Sequence, residues 1–292
     1  MGAGPALLIL TADDYAMTEG VSRGIRELAA ARRLSATSAM TSMRHWPEQA
    51  RAIAPLRDRI AVGLHLNLTL GAPIGAMPRL ARSGTLPPLG AIVGAAIKGA
   101  IDAGEVRSEL ERQLDAFEAG LGHPPDHVDG HQHVHALPGI ARVVAETIAR
   151  RYPRLPPLVR NPADRVARIV ARRTAVAKAL TLAWLSRGLA AELAGRGLPT
   201  NDSFSGVTDF EPQATARDLG RALLGAGAAH LVMCHPGYPD AELASLDPVT
   251  ARRLAELRLL AADSGIGAPI WHAARAADGP AIDWHGIIGA VG

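Results

Sequence analysis

Residues 5–15 read Pro-Ala-Leu-Leu-Ile-Leu-Thr-Ala-Asp-Asp-Tyr, an unbroken apolar run that ends in two adjacent carboxylates. Short continuous runs of this kind suit a strand buried on both faces, as in parallel sheets and barrels. In such folds, ligands and catalytic groups gather at the C-terminal ends of the strands. Asp13 and Asp14 fall at that address. Two neighbouring carboxylates there are costly unless a cation or hydrogen-bond donors meet them. The pair could instead cap the next helix, for which Thr18 and Glu19 are further candidates.

Three more stretches repeat the pattern. In Ile60–Leu68 the apolar residues alternate with Gly63, His65 and Asn67, which predicts a strand with those three on one side. Val128-Asp129-Gly130-His131-Gln132-His133-Val134-His135 also reads as extended, with His131, His133 and His135 on one side. A strand crowded with imidazole is a poor core element and a plausible wall of a metal site. His230–His235 is a buried-type strand that hands over to Pro236-Gly237, so His235 sits at a strand end as Asp13 does.

Helix-period segments over 20–33, 47–56, 105–121, 139–151, 214–225 and 248–264 alternate with these strands and with shorter strands over 35–40, 155–160, 200–206 and 266–272. The alternation predicts an α/β fold of mainly parallel strands. Residues 71–103 read as a long loop with a short helix around 90–100. Residues 161–198 read as a basic helical insertion: one long helix capped by Asp164, with Val166, Ile169, Val170, Val176, Leu180 and Trp184 along one face. The tail from 275 is expected to fray.

Composition bounds the function class. At 292 residues, with 48% hydrophobic and 20% charged residues, the chain suits a single globular domain over 1–292 and excludes global disorder. A net charge of +3 is small for the length and does not call for nucleic acid. Cys234 is the sole cysteine, so no intramolecular disulfide forms. The first apolar run is too short for a secretion signal, and no stretch is long enough to span a bilayer, which gives a cytoplasmic expectation. The basic amphipathic segment would allow peripheral contact with an anionic inner-membrane surface. Exposed apolar helix faces would permit an oligomer.

Aligned strand ends would gather Asp13, Asp14, His65, His131 and His235 into one cleft. One carboxylate and two imidazoles can hold a divalent metal while leaving positions open for water and substrate, which is hydrolytic chemistry. The other carboxylate of the pair is then free as general base, and His235 or a histidine of the triple run could protonate a leaving group. A metal hydrolase of another amide or of a phosphoester would use the same set, and a binding protein on a retained scaffold is the non-enzymatic alternative.

Thr11-Ala12-Asp13-Asp14-Tyr15, Gly63-Leu64-His65-Leu66-Asn67-Leu68-Thr69, Asp129-Gly130-His131-Gln132-His133-Val134-His135 and Met233-Cys234-His235-Pro236-Gly237 occur in this order. In combination, over roughly residues 6–272, they resemble the YdjC-like carbohydrate deacetylases (the ChbG/HpnK group). Thr11 and Tyr15-Ala16 stand where that family usually has Asn and Phe-Gly. The resemblance implies a distorted (β/α) barrel related to the polysaccharide-deacetylase fold. It implies one divalent metal, Zn or Mg, with Mn, Co or Ni also suited, held by Asp14, His65 and His131. It implies Asp13 as general base, His235 as proton donor or transition-state stabiliser, and an N-acetylated amino sugar, free or lipid-linked, as substrate. Tyr15, Asn67, Asp129, His133, Arg160 and Asp202 are expected to touch substrate or to hold the ligands in place. Asp129 is expected to orient an imidazole, and His135 to satisfy only a backbone or carboxylate partner.

Overall fold

The computed structural model describes residues 4–262, 266–275 and 281–291. Its strands are β1 (Leu7–Tyr15), β2 (Ala36–Ala39), β3 (Ala61–Leu66), β4 (His127–Gly130), β5 (Leu158–Val159), β6 (Ser203–Ser205) and β7 (Ala229–Cys234). They form one seven-stranded sheet in the order β5-β4-β3-β2-β1-β7-β6. Every pairing is parallel. β1 lies inside the sheet with all nine residues buried, which is why its sequence is continuously apolar up to the carboxylates.

The helices before the insertion are α1 (Glu19–Ala30), α2 (Trp46–Ile53), α3 (Leu89–Ile97), α4 (Ala103–Leu121) and α5 (Ile140–Arg151). Those after β5 are α6 (Val166–Arg172), α7 (Val176–Leu185), α8 (Leu189–Ala194), α9 (Thr215–Arg221), α10 (Ala241–Leu246), α11 (Ala251–Ala261) and α12 (Trp284–Gly289). Thr18 caps α1 by accepting from the Val21 N–H, so the Asp13–Asp14 pair is not spent as a cap. Asp102 caps α4 in the same way, and Gly122, in the left-handed region at φ 75°, ends it.

The sheet curls, and its two faces carry different cores. Leu8, Leu10, Val62, Leu64, Val128 and Val232 point outward into the large cluster shared with the helices. Leu7, Ile9, Ala36, Ala61, Leu158 and Leu231 point inward, where Phe204, Met233 and Trp284 join them. The edges approach through the backbone: Val159 N–H donates to the Pro199 carbonyl at 2.9 Å, and Thr200 Oγ1 donates to the Val159 carbonyl at 2.7 Å. The expected distorted barrel is therefore a half-barrel whose edge strands meet through residues 199–200.

Several local expectations are corrected. The histidine run is not one strand: β4 stops at Gly130, and His131–Ala136 is a 3-10 turn with Gln132 and His133 left-handed at φ 53° and 61°. The alternation that would place three imidazoles on one side is thereby lost. The long helix over 161–198 is three short ones, because Arg173 and Ala175 turn left-handed between α6 and α7 at φ 51° and 41°. Asp164 stands one residue before the cap position, which Arg165 fills without a side-chain bond; the Asp164 carboxylate accepts the Arg165 N–H at 2.7 Å and pairs with Arg168 and Arg172. Among the described residues of 266–272 no strand forms, although the Trp271 N–H reaches the Leu8 carbonyl at 2.7 Å. In the tail, residues 276–280 lie outside the described residues. Beyond them α12 is capped by Asp283 and buries Trp284, whose indole N–H bonds the Asp126 carbonyl.

Candidate active site

At the C-terminal end of the curled sheet the inward residues change from aliphatic to charged. Asp13, Asp14, His65, His131, His133 and His235 line a single cavity of about 480 Å³. How the two adjacent aspartates share it is a matter of backbone. The β1–β2 register slips between Ala12 and Tyr15. Asp14 takes φ 69° and Ala16 takes φ 72°, in the left-handed region that side chains disfavour. Strict alternation would send one carboxylate outward; the irregularity re-aims it, the usual effect of a bulge.

Asp14 is the centre of the site. Its Oδ1 lies 2.8 Å from His131 Nδ1 and 3.3 Å from His65 Nε2. Its Oδ2 accepts from Arg253 Nη2 at 2.6 Å. Burial alone would raise the Asp14 pKa, but Arg253 and His131 outweigh it and hold the carboxyl well below the ordinary carboxylate range. Asp14, His65 and His131 can each turn one ligand atom to a common point. Tetrahedral bonds of about 2.0–2.1 Å would separate ligand atoms by about 3.3 Å, so the spacing fits a small divalent cation.

His65 is fixed from behind. Parallel register sets it beside Asp129 on β4, and its Nδ1 meets Asp129 Oδ1 at 2.6 Å. This carboxylate–imidazole arrangement presents Nε2 to the cavity. Burial would lower the His65 pKa, but Asp129 and Asp13 overcome it and push it up to about 10. Asp129 Oδ2 in turn takes the Ser38 hydroxyl and Arg160 Nη2, both at 2.5 Å. Gly63 makes room for the neighbouring His127 ring, since a Cβ there would lie 2.4 Å from it.

Asp13 is held by Arg160, whose Nη1 and Nη2 donate to its two oxygens at 2.7 and 2.6 Å. Both residues are buried, so the pair is a bidentate bridge screened from water. His235 sits across the cavity with its ring edge-on to Phe210 at 5.5 Å, and Glu256 accepts its backbone N–H at 2.6 Å. Burial keeps the His235 pKa below the ordinary value despite the carboxylates of Asp14 and Asp13. His133 also faces the cavity, edge-on to Phe204, and burial with nearby Arg160 holds its pKa well below the ordinary value.

The remaining expected residues divide. Tyr15 is buried behind the wall and donates to the Gln49 carbonyl. Asn67 ties the turn after β3, giving its amide to Ser42 and Leu70 and accepting from the Thr69 and Leu70 N–H groups. His135 Nε2 donates to the Arg160 carbonyl, a backbone partner as expected, and burial lowers its pKa to about 4. Asp202 is not in the site: it precedes β6 at the opposite end of the sheet and accepts the Ala228 N–H. Arg253, which lines the cavity and touches Asp14, was missed; as the second of two arginines in an ordinary helix pattern it carries no sequence signal. Asp247, which shares the Arg253 guanidinium, was also missed, because just before Pro248 it reads only as a turn residue.

The chain matches the YdjC-like protein family over residues 7–264. A mouse (Mus musculus) protein named carbohydrate deacetylase is 35% identical over 252 residues, covering 80% of this chain and 78% of its own length. A chitooligosaccharide deacetylase of Enterobacter sp. (strain 638) is 32% identical over 263 residues, covering 88% and 92%. The crystal structure of an Enterococcus faecalis V583 protein, described as a candidate cellobiose-phosphate cleavage protein, overlays with a TM-score of 0.66 at 20% identity, covering 92% of this chain and 97% of that one. That likeness speaks to the fold, and the match over nearly the whole chain settles the family. The chain belongs to the YdjC-like proteins.

Proposed function

We propose that the protein removes the N-acetyl group from an amino sugar, as an oligosaccharide or a glycolipid, and releases acetate. The observation that carries this reading is the meeting of Asp14, His65 and His131 with Asp13 and His235 in one cavity. The names of the mouse and Enterobacter relatives support the sugar amide as the bond. Asp14, His65 and His131 would hold one divalent ion. When bound, it supplies a Lewis acid for an acyl oxygen and lowers the pKa of water.

The chain's own residues supply the proton traffic. Asp13 takes a proton from the attacking water, whose oxygen adds to the acetyl carbon. Arg160 holds both Asp13 oxygens, so the base is oriented before substrate arrives. Collapse of the tetrahedral adduct breaks the C–N bond, and His235 gives a proton to the departing nitrogen. Free amine and acetate result.

The test is acetate release from N-acetylglucosamine oligomers and from acetylated glycolipids, with Mg, Zn, Mn, Co or Ni added in turn. Release from at least one sugar, abolished by chelation, is the expected result. No release from any acetylated sugar, with turnover of a phosphoester or another amide, would overturn the reading.

A further inference from the structure

Helix α7, Val-Ala-Lys-Ala-Leu-Thr-Leu-Ala-Trp-Leu, has only two polar residues, yet none of its residues is buried. A surface helix normally sinks its apolar stripe into the core. On α7 only Leu182 and Leu185 pack partly against the cores, and with Lys178 and Thr181 they form the wall of the cavity. The adjoining stripe is open, with Trp184 52% exposed. On α6, Val166 and Val170 are 63% and 50% exposed. Across the cavity α3 carries no charged side chain; Leu89 and Val93 line the wall, and Ile97, one turn further along the same stripe, is 56% exposed.

The charges along α6 and α7 have one sign, although Asp209 and Glu211 stand exposed on the neighbouring loop, Asp209 beside Lys178. Between Asp164 and Glu192 every ionisable residue is Arg or Lys, and Lys98 follows α3. Arg168 and Arg172 turn inward to Asp164, while Arg165, Arg173 and Arg187 remain exposed. A second copy of the chain would bring this positive face against itself across a two-fold axis. An anionic bilayer meets both needs: its headgroups take the arginines, and its acyl boundary takes Trp184, Val166, Val170 and Ile97. Among the described residues no helix is long and apolar enough to cross a membrane, so the contact is peripheral.

We infer that the α3–α6–α7 rim docks on an anionic membrane surface, with the mouth of the cavity opening onto the lipid. Docking is independent of the reaction. That it presents an acetylated lipid headgroup to Asp13 and His235 rests on the deacetylase reading.

The experiment is co-sedimentation of the full chain with vesicles of phosphatidylglycerol and phosphatidylcholine, and with phosphatidylcholine alone. The arms are the unaltered chain, Arg165→Glu/Arg173→Glu, and Val170→Asp/Trp184→Asp. Acetate release from a soluble acetylated sugar is measured in parallel. The expected result is binding to anionic vesicles only, reduced about tenfold or more in either double variant, with soluble-sugar turnover retained. Trp184 emission should shift to the blue on anionic vesicles, and Trp184→Phe should remove the shift. No binding to anionic vesicles, equal binding to neutral ones, or a lipid-free dimer dissolved by the same substitutions would overturn the inference. Failure of soluble-sugar turnover in the unaltered chain, with vesicle binding intact, would instead count against the deacetylase reading.

Discussion

Arg160 grips both oxygens of Asp13, at 2.7 and 2.6 Å, and reaches Asp129 with the same guanidinium. One buried cation thus ties the proposed base to the carboxylate that orients His65. Removing it leaves buried Asp13 without its bidentate partner and Asp129 with His65 as its remaining counter-charge. Arg160→Met should cost about 3–5 kcal/mol of stability, read as the urea midpoint. Arg160→Lys cannot span both oxygens, so it should recover only part of the loss. A midpoint unchanged in Arg160→Met would show that the bridge contributes nothing.

Metal binding and turnover should separate by residue. Asp14→Ala, His65→Ala and His131→Ala should each lose the bound ion, measured by calorimetric titration and elemental analysis. Asp13→Asn should keep the ion and lose turnover, because the amide cannot accept the proton. Asp129→Asn should weaken metal binding about 10- to 100-fold, the usual effect of losing an outer partner. Retained acetate release by Asp13→Asn would remove Asp13 as the base.

The pH response of the chelated protein follows from His65. Its pKa is about 10 in the fold, against 6.5 ordinarily. The stabilisation is therefore complete below pH 6.5 and is lost as pH rises through 10. Chelated protein should lose on the order of 3 kcal/mol between pH 7 and 10, seen as a falling urea midpoint. Added zinc should flatten this slope, since a ligand nitrogen cannot hold proton and metal together. A flat profile in chelator would contradict the His65–Asp129 pairing.

Gly63 gives a purely steric test. A Cβ there would meet the His127 ring at 2.4–2.5 Å. His127 Nε2 lies 3.0 Å from Ser38 Oγ, which also bonds Asp129. Gly63→Ala should cost about 1–3 kcal/mol by overpacking, and His127→Ala in the same chain should relieve much of it. Additive costs in that double-variant cycle would refute the contact.

Asp202 provides a control. It lies at the N-terminal end of β6 and bonds the Ala228 N–H. Asp202→Ala should cost about 0.5–1.5 kcal/mol from one hydrogen bond and leave kcat unchanged. A tenfold fall in kcat with an unchanged midpoint would return it to the site.

The chain order of strands and helices was legible because hydrophobic period is a local property. Residues 5–15 announced a central parallel strand, and Asp13, Asp14, His65, His131 and His235 were each marked by an ionisable group at a strand end. What the sequence could not state is which way those groups turn. The left-handed φ of Asp14 and the turn at Gln132–His133 run against local preference, and only packing around them holds such conformations. That is why the three histidines separate: His131 meets Asp14, His133 faces the cavity, and His135 binds a carbonyl. Arg253 is the clearest tertiary decision. It lies 239 positions from Asp14 in sequence, and folding alone brings its guanidinium to that carboxylate. The exposed apolar face of α7 is likewise invisible in one dimension, since periodicity tells that a helix has an apolar stripe but not whether anything covers it.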